Sequence, residues 1–248
     1  MEDLLRIMER LREPEFGCPW DLKQNFSTIV PHTLEECYEL VEAIEQNDLP
    51  HIAEELGDVL FQVVFYSELG REKNAFDFQA VVDGIARKLL RRHPHVFAEG
   101  AIEGRVNARI SSDEVRETWE TIKRGERAGR IEKAVGALDD IPMALPGLSR
   151  AQKLQKRAAS VGFDWPSLEG VLAKLEEELD EFKDALASGK PEEVSDELGD
   201  ILFSVVNVTR HLALDAEAVL RAANKKFSTR FAHMEEAARK SQSSLAEE

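Results

Sequence analysis

Apolar positions along this chain recur with the spacing of helices rather than strands. In TLEECYELVEAIEQ (Thr33–Gln46), Leu34, Cys37, Val41 and Ile44 share one stripe, with Glu35, Glu39 and Glu42 opposite. AEELGDVLFQVVFYSEL (Ala53–Leu69) predicts a second, far more apolar helix. Val171–Leu186 and Val194–Leu212 repeat the same two types in the same order. Short breaks at Asn47–Pro50 and Ser188–Pro191 separate the members of each pair, as in antiparallel helical hairpins. Between the halves, SSDEVRETWETIKRGERAGR predicts an amphipathic helix around Trp119 and Ile122, ending near Gly125. Leu138–Leu148, with Pro142 and Pro146, reads as a linker. Strand-like alternation is scarce, so the expected class is all-α.

The same pattern occurs twice. Glu35-Glu36-x-x-Glu39 returns as Glu177-Glu178-x-x-Glu181, and Glu55-Leu56-Gly57-Asp58 returns at the same offset as Glu197-Leu198-Gly199-Asp200. Leu60-Phe61 and Val63-Val64 then match Leu202-Phe203 and Val205-Val206. Lys88 and Arg92 have counterparts in Lys226 and Arg230, and Gly-Cys-Pro-Trp at 17–20 faces Gly-Phe-Asp-Trp at 162–165. Two copies of one helical unit account for this most simply. The expected layout is a first domain over 1–104, a helical segment and linker over 105–147, and a second domain over 148–248.

The acids in these motifs are placed oddly for surface charge. On Ala53–Leu69, Glu55, Asp58 and Gln62 lie within about 60° of one another and are flanked by Leu56, Val59, Leu60, Phe61, Val64 and Phe65. Glu197, Asp200 and Ser204 repeat the arrangement. Carboxylates on so apolar a helix need a partner, because burying them alone costs several kcal/mol or raises their pKa. Glu35, Glu36 and Glu39 reach one side of the preceding helix. Antiparallel packing then gathers four or five carboxylates around one cavity. All-oxygen ligation suits Mg²⁺ or Mn²⁺, and no His or Cys joins the motif as a zinc site requires. A single EExxE is usually surface charge; both motifs in order, with identical spacing and found twice, favour a metal site.

Composition narrows the partners. The net charge is −16, from 48 acids and 32 bases, which argues against a nucleic-acid binder needing a basic face. Cys18 and Cys37 form no metal-spaced pair, so free thiols in a reducing cytoplasm are expected. No apolar run approaches the roughly 18 residues of a membrane span, and charges interrupt the N-terminal segment as they would not in a signal peptide. There is no Walker-type Gly-rich loop, so a P-loop mechanism is excluded.

The segments GCPWD (Gly17–Asp21), TLEECYEL (Thr33–Leu40), ELGDVLFQVVFY (Glu55–Tyr66), RRHPHVF (Arg91–Phe97) and VGFDW (Val161–Trp165) resemble the MazG family of nucleoside triphosphate pyrophosphohydrolases over nearly the whole chain. The resemblance implies an all-α fold with four-helix-bundle-type active sites completed by dimerisation. It implies hydrolysis of nucleoside triphosphates between the α- and β-phosphates, giving a nucleoside monophosphate and pyrophosphate in a nucleotide-pool house-cleaning role. It also implies Mg²⁺ ligands at Glu36, Glu39, Glu55 and Asp58 in the first copy, and at Glu178, Glu181, Glu197 and Asp200 in the second. Glu35 and Glu177 would ligate the metal or orient the attacking water.

A triphosphate needs further positive charge. Lys226 and Arg230, four apart on one helical face, are candidates for phosphate contacts, with Lys88, Arg91 and Arg92 in the first copy; an ordinary basic helix end reads equally well. Trp20 and Trp165 are candidates for stacking a base, against a plain structural role. His93 and His95 around Pro94 are candidates for phosphate binding, with a structural turn the favoured reading. The second copy, with Lys226 and Arg230, is expected to be the principal site. Two other readings stand beside this one: a narrower dUTP- or dCTP-cleaving enzyme, and a non-catalytic helical module that senses nucleotides. The apolar helices need a further partner, either the other copy within the chain or a matching copy in a homodimer; the resemblance favours the homodimer.

Overall fold

The computed structural model describes residues 1–106, 111–128 and 136–241. Among the described residues there are nine α-helices and no strand. They fall into two compact units, residues 1–130 and 131–248. The first holds α1 (Glu2–Leu11), α2 (Phe26–Gln46), α3 (Leu49–Glu72), α4 (Phe78–Arg92) and α5 (Ser112–Ala128). The second holds α6 (Gly147–Ala159), α7 (Leu168–Ser188), α8 (Pro191–His211) and α9 (Ala216–Ser241).

Each unit is organised by one helical hairpin, α2–α3 in the first and α7–α8 in the second. The connections are shorter than the residue pattern predicts. Asn47 closes α2 in the left-handed conformation at φ 57°, and Asp48 at once caps α3 by accepting the His51 N–H at 3.2 Å. In the second unit Gly189 takes the same place at φ 71°. Asn and Gly are the two residues that enter this region at least cost, so one backbone turn is built with different side chains. So tight a turn forces the two helices antiparallel and fixes which residues face across the seam. Asn25 begins α2 seven residues earlier than the periodic pattern does, through a reciprocal capping box with Thr28.

The first unit packs around Met8, Ile29, Val64, Phe65 and Leu69, with Phe26, Phe61 and Tyr66 against them. Phe26 stacks on Tyr66 at 5.9 Å, and the Tyr66 hydroxyl meets Thr33 Oγ1 at 3.0 Å. Arg12 is buried over the Phe65 ring and donates two bonds to Glu72 at 2.6 and 2.8 Å, so its charge is paired where it leaves water. In the second unit Gln152 ties α6 to the start of α9, donating to Leu214 O at 2.6 Å and accepting from Ala216 N–H at 3.2 Å.

The apolar stripe read on α2 does not point inward. Leu34 and Ile44 are each half exposed, at 51% and 53%. The residues turned toward α3 are instead Ile29, Thr33, Glu36 and Ala43. Periodicity identified the helix, but the packing buries the edge through Ile29, Glu36 and Ala43 and leaves Leu34, Cys37 and Ile44 exposed.

Candidate functional site

That rotation brings carboxylates from both helices of the hairpin together. In the first unit, oxygens of Glu36, Glu39 and Glu55 all lie within 4.8 Å of one another. Glu55 is only 6% exposed; its Oε1 meets His51 Nε2 at 2.8 Å, while its Oε2 is buried without a hydrogen-bond partner. In the second unit the trio is Glu178, Glu197 and Asp200, again within 4.8 Å, with Glu178 the buried member.

The remaining motif acids stand around these trios. Asp58 is exposed and lies outside the first, but its charge acts on Glu36, whose carboxyl is raised above its ordinary 4.5, first by burial and then by Asp58, Glu39, Glu55 and Glu35. Glu181 lies outside the second trio and acts on Glu197, which is raised first by burial and then by Glu181, Glu178 and Asp200. Like charges this close repel unless a cation sits among them. The buried, unpartnered Glu55 oxygen and the all-oxygen donor set both fit a hard divalent ion.

Basic neighbours that the motif reading passed over meet the same acids. Lys174 contacts Glu177 and Glu178, each at 3.0 Å, and these bonds raise its pKa. In the first unit His32 reaches Glu35 at 3.6 Å. All these pairs are three or four residues apart on one helix, so the spacing was the available signal.

The second trio borders a cavity of about 710 Å³. Lys174, Glu178 and Asp200 line its acidic end; Phe163, Trp165 and Phe203 line another part, with Gln155, Asn207 and Arg210 supplying polar groups. The 162–165 segment is held by Asp164, which accepts two bonds from Arg210 and the Trp165 N–H, so its carboxyl lies below its usual range. A Cβ at Gly170 would meet the Trp165 ring at 3.0 Å, so glycine there lets the indole lie against α7.

Not all the basic and aromatic candidates converge. Trp165 lines the cavity, whereas Trp20 is half exposed and stands edge-on to His32 at 5.6 Å. Arg91 and Arg92 both bind Glu126 of α5, at 2.6 Å and 2.5 Å, and draw its carboxyl down to about 2. Lys88 is half-buried on α4. Lys226 and Arg230 are exposed on α9 and do not line the cavity. The His93 ring donates from Nδ1 to Leu89 O at 2.7 Å and lies near Trp119.

The profile of the MazG nucleotide pyrophosphohydrolase domain matches residues 24–97 and, separately, residues 167–235. The chain belongs to the MazG family. Each match contains one hairpin and its complete trio. The chain is 48% identical, over 95% of its own length and 87% of the relative's, to the nucleoside triphosphate pyrophosphohydrolase of Escherichia coli K12. It is 44% identical, over 95% of its length and 85% of the relative's, to the nucleoside triphosphate pyrophosphohydrolase/pyrophosphatase MazG of Thermotoga maritima. It is also 40% identical to YabN of Bacillus subtilis, covering 97% of this chain and 47% of that protein.

Proposed function

We propose that this chain is an enzyme that hydrolyses nucleoside triphosphates between the α- and β-phosphates, with Mg²⁺, giving a nucleoside monophosphate and pyrophosphate. The observation that carries the reading is the carboxylate trio seated in each family-matched hairpin, with a buried glutamate at its centre. In the first copy Glu36, Glu39 and Glu55 would hold the ion with Asp58 beside them; in the second, Glu178, Glu197 and Asp200 with Glu181. Mn²⁺ satisfies the same oxygen donors. The bound ion supplies charge neutralisation at the phosphates and a more acidic water.

The chain's own groups account for the rest. Glu35 and Glu177, one turn before Glu39 and Glu181, would ligate the ion or orient the attacking water, since the motif holds no nucleophilic side chain. Lys174, beside Glu178 at the acidic end of the cavity, is placed to meet a phosphate oxygen. Lys226, Arg230, Lys88, Arg91 and Arg92 serve as phosphate contacts only if a partner or a movement brings them to the trio. The exposed apolar stripe of α2 supports a homodimer in which a second copy covers it. The free thiols of Cys18 and Cys37 suit a reducing cytoplasm. Among the described residues, no helix is long and apolar enough to cross a membrane. Domain limits of 1–104 and 148–248, with 105–147 between them, enclose both family matches.

The test is pyrophosphate release from a panel of ribo-, deoxyribo- and non-canonical triphosphates, with Mg²⁺ and with EDTA. Release across the panel in Mg²⁺ alone fits the house-cleaning reading. Release from dUTP or dCTP only would replace it with the narrower enzyme. No release from any substrate would leave the sensing module.

A further inference from the structure

The buried member of each trio is held by a basic side chain four residues before it on its own helix. In the first unit the pair is His51 and Glu55 on α3, with Nε2 2.8 Å from Oε1. In the second it is Lys174 and Glu178 on α7, at 3.0 Å. These pairs do not occupy matching places. With the motifs in register, His51 corresponds to Glu193 and Lys174 to His32. Glu193 is engaged by Lys190 and Ser188, at 2.5 and 2.8 Å, and Glu197, the counterpart of Glu55, is half-buried rather than buried. His32 reaches Glu35 at 3.6 Å. The hold on the buried carboxylate therefore lies on α3 in one copy and on α7 in the other.

A carboxylate only accepts, so the contact places a proton on His51 Nε2 and makes the imidazole the donor. With Oε1 engaged, Oε2 is the oxygen left over; it is buried and has no hydrogen-bond partner. One end of the group is gripped and the other is free. This is how a ligating carboxylate is oriented by a neighbour that does not itself touch the metal. A glutamate side chain is rich in rotamers, and ordering it on an ion has an entropic cost that such a contact lowers in advance. Folding stability is a poor account of the contact. His51 is 40% exposed, and exposed pairs at this spacing contribute little.

We propose that His51 is the positioning residue of the first copy's metal site. It fixes the rotation of the Glu55 carboxylate, so that the free oxygen is presented to the divalent ion that Glu36 and Glu39 share. His51 acts only through Glu55 and is not itself a ligand. The role belongs to the first copy, because Glu193 stands at the matching place on α8 and carries no donor in its side chain. This inference rests on the metal reading of the first trio.

The test is Mn²⁺ binding to the full chain, followed by loss of the free-ion EPR signal. Glu178→Gln and Asp200→Asn are present throughout, so that only the first trio is read. In that background His51→Leu should weaken Mn²⁺ binding about tenfold, the lower end of what removing a ligand's orienting partner costs. Its melting temperature in EDTA should stay close to that of the background, since His51 is 40% exposed. His51→Ala, a plain truncation, carries the same measurement if His51→Leu does not fold. The deciding arm repeats His51→Leu together with Glu55→Ala. A residue acting through Glu55 should then change the remaining affinity by less than about twofold, whereas a general structural effect would persist. An affinity that His51→Leu leaves unchanged overturns the assignment, as does an equal loss with and without Glu55→Ala. No Mn²⁺ bound in the background overturns it together with the metal reading. A chain that binds Mn²⁺ and shows the coupling, yet releases no pyrophosphate, refutes the catalytic reading and upholds His51 as the positioning residue.

Discussion

Replacing Glu55 by glutamine removes the charge that the first trio buries most deeply while keeping the side chain's shape. Glu55 is 6% exposed, and its oxygens lie within 4.8 Å of those of Glu36 and Glu39. Two unit charges at that separation repel by about 3.5 kcal/mol at an effective dielectric of about 20, and by about 1 kcal/mol in water. Glu39 is exposed and Glu36 half-buried, which places the interaction nearer the aqueous limit. The His51–Glu55 pair at 2.8 Å works the other way, but His51 is 40% exposed and such a pair is worth about 0–1 kcal/mol. Without metal, Glu55→Gln should therefore be more stable than the wild type by about 1 kcal/mol, or roughly 3–5 °C for a unit of this size. With Mg²⁺ at about 100 times its Kd, the wild type gains about 2.7 kcal/mol, and the variant, having lost a ligand, gains less. The order of stability reverses between the two conditions. Scanning calorimetry of the full chain in EDTA and in MgCl₂ reads this directly. A variant that melts below the wild type in EDTA, or that gains as much from Mg²⁺, refutes the metal-site reasoning for Glu55.

Three further outcomes follow from the same structure. Because the Glu36 carboxyl is raised above 4.5, its contribution to metal-free stability is full below about that pH and is lost as pH rises through the folded value; Glu36→Gln should flatten that slope in pH-dependent unfolding, and metal affinity should fall as pH drops into the same range. Phe65→Ala should cost about 3–5 kcal/mol, since Phe65 is 1% exposed in the first unit's core, and an unfolding free energy from denaturant titration unchanged within about 1 kcal/mol would contradict that packing. Gly17→Ala should destabilise by about 1–3 kcal/mol in the same assay, because a Cβ there would meet Glu13 O and Leu11 O, each at 2.5 Å; a neutral result would show that this turn yields.

Much of this molecule was written in its periodicities. The spacing of apolar residues located the four hairpin helices, because the 3.6-residue repeat is a local property, but it missed the first turns of α2 and α3, which Asn25 and Asp48 cap. The duplicated acids and the Asn47 and Gly189 turns marked the hairpins, since few residues tolerate the left-handed bend that closes them. Three- and four-residue spacings also held the Lys174–Glu178 and His51–Glu55 contacts, once the helices were known.

Tertiary structure decided what lay across helices. Which edge of α2 faces α3 depends on how the hairpin is rotated, and that is a contest between whole surfaces; it left Leu34 and Ile44 outside and Glu36 within. The membership of each trio, with Asp58 and Glu181 beside rather than inside it, depends on side-chain positions to within an ångström or so. Arg91 and Arg92 read as phosphate ligands by their charge, yet Glu126, 34 residues beyond Arg92, engages both. The difference between the copies is the clearest case. Phe65 and Asn207 occupy matching places in matching motifs. Only packing determines that one completes a core while the other borders a cavity, because filling space depends on every neighbour at once.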